Sequence, residues 1–383
     1  MKKRYKFATG ATALLLVAGI WKAPEINRLL IVNSMFEEDK IVYNFSHMND
    51  GFFSVPLNQA SQTPSPLPEK LDYIADDKFL SFLEDRNVTS IVASKNGVIH
   101  YENYLLDTAK SDKRISWSVA KSFLSALMGI MIEQGKIESI DDKVIKYAPE
   151  LADSAYKDAT IKNVLQMSSG VIFDEDYLDK SSDINKMART LALGGTMDDF
   201  TISKKDSFAA PGETWQYVSI DTHVLGMVIR GASGQDIPTL MRENIIDQLG
   251  FESDGYYLTD GVGVSFVLGG LNLTTRDYLR FGLMIENDGV YDGEQIVPAQ
   301  WIKDSTQASA NTAEGELHYG YQWWMASDLR EGEFFAHGIY SQYIYIDKTR
   351  DVVIAVNSAD RKFKEEGRKE EFIAMLRKIA AEL

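Results

Sequence analysis

Apolar and polar positions along the chain change period several times, and each change marks an element. Val88-Thr89-Ser90-Ile91-Val92-Ala93 and Val98-Ile99-His100-Tyr101-Glu102 are β-branched and aromatic runs around Asn96-Gly97. That pair favours a type I′ turn, so the stretch predicts a hairpin. From Phe123 to Gln134 the pattern is apolar on every side, which predicts a helix buried in the middle of a domain, ended by Gly135. Asp76 to Asp85 predicts a short amphipathic helix with Phe79, Leu80, Phe82 and Leu83 facing inward. Between 136 and about 330, short helical patterns alternate with turns. One helix begins at Thr160 and stops at Ser168-Ser169-Gly170, and an apolar helix covers Thr222 to Gly231. Gly269-Gly270-Leu271-Asn272 reads as a tight loop before a helix capped by Thr274 or Thr275. Strand patterns return at 342–347 and 352–356, joined by Lys348-Thr349-Arg350-Asp351, and an amphipathic helix from Glu366 to Leu383 follows. Strands at both ends of a helical middle predict an α+β fold: one antiparallel sheet from N- and C-terminal strands, flanked by helices, with a large helical region inserted.

The first 66 residues carry a different signal. Met1-Lys2-Lys3-Arg4-Tyr5-Lys6 is basic, and Phe7 to Trp21 is almost unbroken apolar sequence. That length fits a secretory core and falls short of the roughly 20 residues that span a bilayer. Residues 1–21 are therefore expected to be a signal peptide or a membrane anchor, with the protein exported and tethered to a membrane if the segment stays attached. Residues 22–66 read as a tether or arm that ends in Thr63-Pro64-Ser65-Pro66-Leu67-Pro68, leaving 67–383 as the folded domain.

Composition mainly excludes. A net charge of −16 with no basic stripe argues against nucleic acid as a partner. The absence of cysteine removes disulfides, thiolate metal sites and a cysteine nucleophile. His47, His100, His223, His318 and His337 are scattered without metal-ligand spacing, so no metal is expected, and no glycine loop of phosphate-binding form implies a cofactor. The expected partner is a small molecule.

The candidate chemistry sits at the start of the apolar helix, in Arg114-Ile115-Ser116-Trp117-Ser118-Val119-Ala120-Lys121-Ser122. A hydroxyl and an amine three residues apart share one helical face, and a serine at a helix start lies by the positive end of its dipole. A lysine in an apolar wall has its pKa lowered toward that of a base. Ser118 is thus the expected nucleophile and Lys121 its activator. Ser154-Ala155-Tyr156-Lys157 has the same spacing but lies in a polar segment, and reads as solvated surface. Asp174-Glu175-Asp176 reads as a charged loop, with the alternative that it sets the acidity of a site entrance for cationic substrates.

Ordered landmarks extend the reading. With Ser118-Val119-Ala120-Lys121, Pro211-Gly212 ahead of Tyr217-Val218-Ser219, Gly269-Gly270-Leu271-Asn272 and Tyr319 to Trp324, the chain resembles the serine β-lactamase and penicillin-binding-protein superfamily, in its class C and esterase branch, from about Leu67 to Leu383. Arg114, the Gly170–Tyr177 stretch and Gly338-Ile339-Tyr340-Ser341-Gln342-Tyr343 are similar to the aminohexanoate-oligomer hydrolase group. The resemblance implies a β-lactamase/transpeptidase-like fold and a serine hydrolase that forms an acyl-enzyme on Ser118. Tyr217 would relay the proton with Lys121, the N–H groups of Ser118 and Ile339 beside Gly338 would form an oxyanion hole, and Tyr177 would contact the substrate amide.

Two motifs depart from the pattern. Ser219 stands where Asn is usual, and the Lys-Thr-Gly motif falls on Ala336-His337-Gly338, without the lysine. Both steer away from β-lactams and toward an ester or amide of a small acid. His337 is either a polar contact and proton carrier near neutral pH or a strand-end hydrogen-bond partner. The alternatives to an esterase or amidase are a D-alanyl-D-alanine peptidase or β-lactamase, and an idle envelope protein that binds a ligand in the same cleft.

Overall fold

The computed structural model describes residues 26–58 and 64–383, so the expected signal or anchor at 1–21 lies outside the described residues. Among the described residues no helix is long and apolar enough to cross a membrane. In chain order the strands are β1 (Phe53–Leu57), β2 (Val88–Lys95), β3 (Val98–Tyr104), β4 (Arg114–Ile115), β5 (Gly255–Thr259), β6 (Leu271–Leu273), β7 (Val290–Tyr291), β8 (Glu294–Gln295), β9 (His318–Tyr319), β10 (Trp324–Met325), β11 (Glu333–Gly338), β12 (Gln342–Asp347) and β13 (Val352–Ser358).

The main sheet has seven strands in the order β3-β2-β13-β12-β11-β10-β9, with antiparallel pairing throughout. It is the sheet expected from the N- and C-terminal strand patterns. The β2–β3 turn has Asn96 at φ +50° and Gly97 at φ +74°, the left-handed pair that a type I′ hairpin requires. Alternation along β12 and β13 divides their side chains between two cores. Tyr343, Tyr345, Ile354 and Val356 pack with Phe79, Leu83, Phe372 and Leu376 of the terminal helices 77–85 and 368–382. Ile344, Ile346, Val353 and Ala355 face the larger core with Phe123, Leu127 and Phe281. In the 77–85 helix Phe79 and Leu83 are buried, whereas Leu80, expected inward, is exposed.

The central helix runs from Ala120 to Glu133, buried on nearly every side, and stacks Phe123 on Phe281 of the Thr275–Glu286 helix with ring centroids 3.6 Å apart. Thr274 is the N-cap of the latter, accepting from the Asp277 N–H.

A second sheet was not foreseen. It has four strands in the order β1-β5-β6-β4. The expected loop at 269–272 therefore becomes, from Leu271, a strand lying between β5 and β4. The outer strand β1 comes from the stretch read as a tether or arm. It pairs with β5 from Phe53↔Thr259 to Leu57↔Gly255, and Met35, Ile41, Phe45, Met48 and Leu57 are buried in the main core. This arm is built into the domain, and its apolar residues, spaced too irregularly to give a clean period, are covered by tertiary contacts.

The second Ser-x-x-Lys copy is not solvated surface. Ser154 is buried and its hydroxyl donates to the Leu151 carbonyl at 2.7 Å, while the fully buried Tyr156 donates to Asp221 at 2.7 Å. Only Lys157 is exposed. A buried serine whose hydroxyl is committed to a backbone carbonyl, with its motif lysine exposed, is structural.

Candidate active site

Ser118 lies in a single 3₁₀ turn, Trp117–Val119, that leads into the central helix. Lys121 is in the first turn of that helix, 1% exposed, and its Nζ donates to the Leu268 carbonyl at 3.0 Å. Burial pulls this amine down to about 7, against the opposing pull of the Glu175 and Asp221 carboxylates. A lysine with that pKa holds a large neutral fraction at neutral pH and is competent as a base.

Tyr217 comes from the segment ahead of the Ser219–Ser233 helix and stands over the same amine, with Lys121 Nζ 5.6 Å from its ring centroid. The Ser118 and Ser219 side chains lie near its hydroxyl and partly oppose the rise of its pKa. The ring is wedged against Trp324, stacked at 5.5 Å, and edge-on to Tyr319 at 6.5 Å. Burial first and the Glu175 charge second hold the phenol far above its ordinary pKa. Tyr217 is therefore a neutral phenol at any working pH, a relay that both donates and accepts rather than a standing phenolate.

The end of β11 closes the other side. A side chain on Gly338 would bring Cβ to 2.8 Å from the Ser116 carbonyl, 3.0 Å from the Ser118 nitrogen and 3.1 Å from Trp117 Cβ. Only a residue without Cβ lets the strand approach the nucleophile turn this closely. The next residue, Ile339, lines the same cavity as Ser118. Two bulky residues beside this contact have left-handed backbones: Trp117 at φ +43°, just before Ser118, and Tyr340 at φ +59°, just after Ile339. Such conformations cost on the order of 1–3 kcal/mol each and persist where surrounding packing over-determines them.

The cavity, about 520 Å³, is lined by Ser118, Tyr177, Tyr217, His337 and Ile339 among the expected residues. Ser219 is buried near the Tyr217 and Tyr177 hydroxyls, and the Lys121 amine neighbours the Tyr217 ring. All the sequence-predicted site residues thus converge on one place. His337 stacks on Tyr343 at 4.5 Å, and burial pulls its imidazole down to about 3, so it is neutral near pH 7 and does not carry a proton there. The Gln342 backbone partly opposes that fall, and the ring's Nδ1 is buried without a hydrogen-bond partner among the described residues.

Several site residues escaped the sequence. Glu175 is not a solvated charge: its Oε1 accepts a short hydrogen bond from the Ser219 N–H, and its Oε2 is buried without a hydrogen-bond partner among the described residues. Burial raises its pKa, opposed by the Ser219 amide and the Lys121 charge. Asp221 is fully buried behind Lys121, accepts from Tyr156 at 2.7 Å and Ser169 at 2.8 Å, and is pushed up to about 7 by burial. Trp215 and Trp324 supply apolar wall, and Phe363, Lys364 and Lys369 also line the cavity. The alternating aromatics Trp215 and Tyr217 were a legible signal. The charged run from Arg361 to Glu371 gave none.

The family model described as Beta-lactamase matches residues 90–376. The 6-aminohexanoate-dimer hydrolase of Paenarthrobacter ureafaciens is 27% identical over 289 residues, covering 71% of this chain and 72% of that protein. Among solved structures, a Bacillus anthracis protein provisionally named a 6-aminohexanoate-dimer hydrolase aligns with a TM-score of 0.79 at 24% identity, over 90% of this chain and 95% of that one. EstCE1, described as a hydrolase with promiscuous acyltransferase activity, aligns with a TM-score of 0.62 at 16% identity, over 76% of this chain and 94% of its own. The chain belongs to the beta-lactamase family and is a serine hydrolase of the β-lactamase-like type.

Proposed function

We propose that the protein cleaves an ester or amide of a small acid through an acyl-enzyme on Ser118. The observation that carries this is that Ser118 and Tyr217 line one cavity while the buried, pKa-lowered amine of Lys121 lies 5.6 Å from the Tyr217 ring. In the acylation step the Ser118 Oγ forms a bond to the substrate carbonyl carbon. Its proton passes to the Tyr217 oxygen as the phenol proton passes to Lys121. The carbonyl oxygen becomes an oxyanion held by the N–H groups of Ser118 and Ile339. Collapse breaks the bond to the leaving alcohol or amine, which takes the proton back through Tyr217. Water repeats the sequence on the acyl-enzyme and frees Ser118.

The substrate reading rests on the wall. The position of the missing third-motif lysine is Ala336, fully buried, and the cations lining the cavity are Lys364 and Lys369. The aromatic lining of Trp215, Trp324 and Phe363 favours an extended acyl chain. Together with the name of the Paenarthrobacter ureafaciens relative, this makes linear ω-amino-acid amides the first substrates to try. Fluorophosphonate labelling, p-nitrophenyl ester hydrolysis and cleavage of the 6-aminohexanoate linear dimer, compared in wild type, Ser118→Ala and Ser154→Ala, test the reading. Labelling and turnover are expected to vanish only in Ser118→Ala; hydrolysis surviving that change overturns the assignment.

A further inference from the structure

The arm reaches the catalytic turn through two aromatic rings, Phe36 and Phe45, that meet Trp117 and Tyr340. Phe36 stacks on Tyr340 with centroids 5.1 Å apart at 15° and lies 6.0 Å from Trp117. Phe45, fully buried, meets Trp117 edge-on at 5.4 Å and Tyr340 edge-on at 5.2 Å. Trp117 and Tyr340 touch each other at 6.0 Å. These two are the residues with left-handed backbones, one preceding Ser118 and the other following Ile339. Each ring of the arm contacts both of them, so it fixes the separation of the two segments as well as the pose of each.

The backbone of the arm is fastened at the same place. The Ile115 N–H donates to the Phe45 carbonyl at 3.0 Å, two residues before Trp117. Arg114, 1% exposed, donates through Nη1 to the Val42 carbonyl at 2.8 Å and to the Ser46 hydroxyl at 2.6 Å. Those arm oxygens are the hydrogen-bond acceptors shown for this buried guanidinium. Behind Tyr340 the hairpin is held separately, by Ser341 donating to Asp360 at 3.1 Å and Asp360 pairing with Arg368 at 2.9 Å. Asp360 and Arg368 lie more than 300 residues along the chain from Phe36 and Phe45, so the loop carrying Ile339 is held between two separate supports.

We propose that Phe36 and Phe45 are positioning residues for the oxyanion hole: the arm sets the spacing between the Ser118 and Ile339 amides by clamping Trp117 and Tyr340. The inference rests on the Ser118 acyl-enzyme reading. The clamp touches neither substrate nor reacting atoms. It acts on the transition state, because donors preset at the oxyanion matter when charge develops there and little when the neutral ester binds. A misplacement of about 1 Å at such a site is enough for losses approaching 10²-fold.

Phe36 is the cleaner probe, since its ring is 40% exposed and its removal leaves the buried core intact. The full chain carrying Phe36→Ala is compared with wild type, Phe36→Tyr and Ser118→Ala for p-nitrophenyl ester kinetics, thermal midpoint and inhibition by phenylboronic acid, whose serine adduct places an oxygen in the oxyanion hole. Phe36→Ala is expected to lower kcat by about tenfold or more, with KM within twofold. The phenylboronic acid Ki should rise by the same factor as kcat/KM falls, and Phe36→Tyr should restore both. Wild-type kcat and Ki in a folded Phe36→Ala protein would overturn the clamp, as would a change confined to KM. If Ser118→Ala also loses all turnover, that failure belongs to the clamp alone. Turnover surviving Ser118→Ala would remove the nucleophile and the clamp together.

Discussion

Replacing Lys121 with methionine separates the role of the amine in catalysis from its effect on stability. The amine is held at about 7 in the folded protein against 10.5 in its absence, chiefly by burial. At 1.36 kcal/mol per unit this is a folding cost of about 5 kcal/mol wherever the group is protonated in both states. The sign follows from the depressed value. Below pH 7 folded and unfolded chains both carry the ammonium and the cost is complete. Between pH 7 and 10.5 the folded chain holds the neutral amine, and the cost shrinks as the unfolded chain loses its proton too. Lys121→Met fills the same volume without a charge, so it should gain about 5 kcal/mol at pH 6 and about 2 kcal/mol at pH 9, less about 1 kcal/mol for the lost hydrogen bond to Leu268. The neighbours steepen the trend. Without the cation, the raised pKa values of Asp221 and Glu175 climb further, and a buried acid of raised pKa destabilises the fold as pH rises. Urea unfolding of both proteins at pH 6, 7.5 and 9 reads the difference directly, while ester turnover should fall by about 10²–10⁴-fold with the base removed. A variant less stable than wild type at pH 6, or a stability difference that does not change with pH, would refute the buried-amine argument.

Two other perturbations address the electrostatics and the geometry of the site. Asp221→Asn removes a carboxylate that favours the Lys121 ammonium, leaving Glu175 as its acidic neighbour, so the acid limb of kcat/KM, near pH 7 in wild type, should move to lower pH; a shift upward contradicts Lys121 as the base. Gly338→Ala forces a Cβ to within 2.8 Å of the Ser116 carbonyl and 3.0 Å of the Ser118 nitrogen, so β11 must retreat. A fall in kcat of about 10²-fold is expected from the displaced Ile339 donor, and wild-type kcat in the folded variant would displace the oxyanion hole from this position.

What could be read from the sequence depended on how far away each residue's partner lies. Ser118 and Lys121 share one helical face, and the apolar run that follows them is both the signal for the helix and the wall that desolvates the amine, so a local pattern carried that chemistry. The β2–β3 and β12–β13 hairpins were legible for the same reason, since turn residues and paired strands are neighbours in sequence. Glu175 fails this test. Its flanking acids face solvent, and what buries it is an amide 44 residues on, at Ser219. Asp221 and Tyr156 are 65 residues apart and each justifies the burial of the other, so Tyr156 could not be told from a surface tyrosine by its polar neighbours. The arm shows the strongest case. Phe36 and Phe45 sit among polar residues without a helical or strand period, and the rings they meet are 72 to 304 positions away. Periodicity reports which face of an element is buried, but an isolated aromatic is buried only if a distant surface has a place for it. In this protein that surface is the pair of left-handed residues beside Ser118 and Ile339, so the contacts least visible in the sequence fall where the backbone most needs outside support.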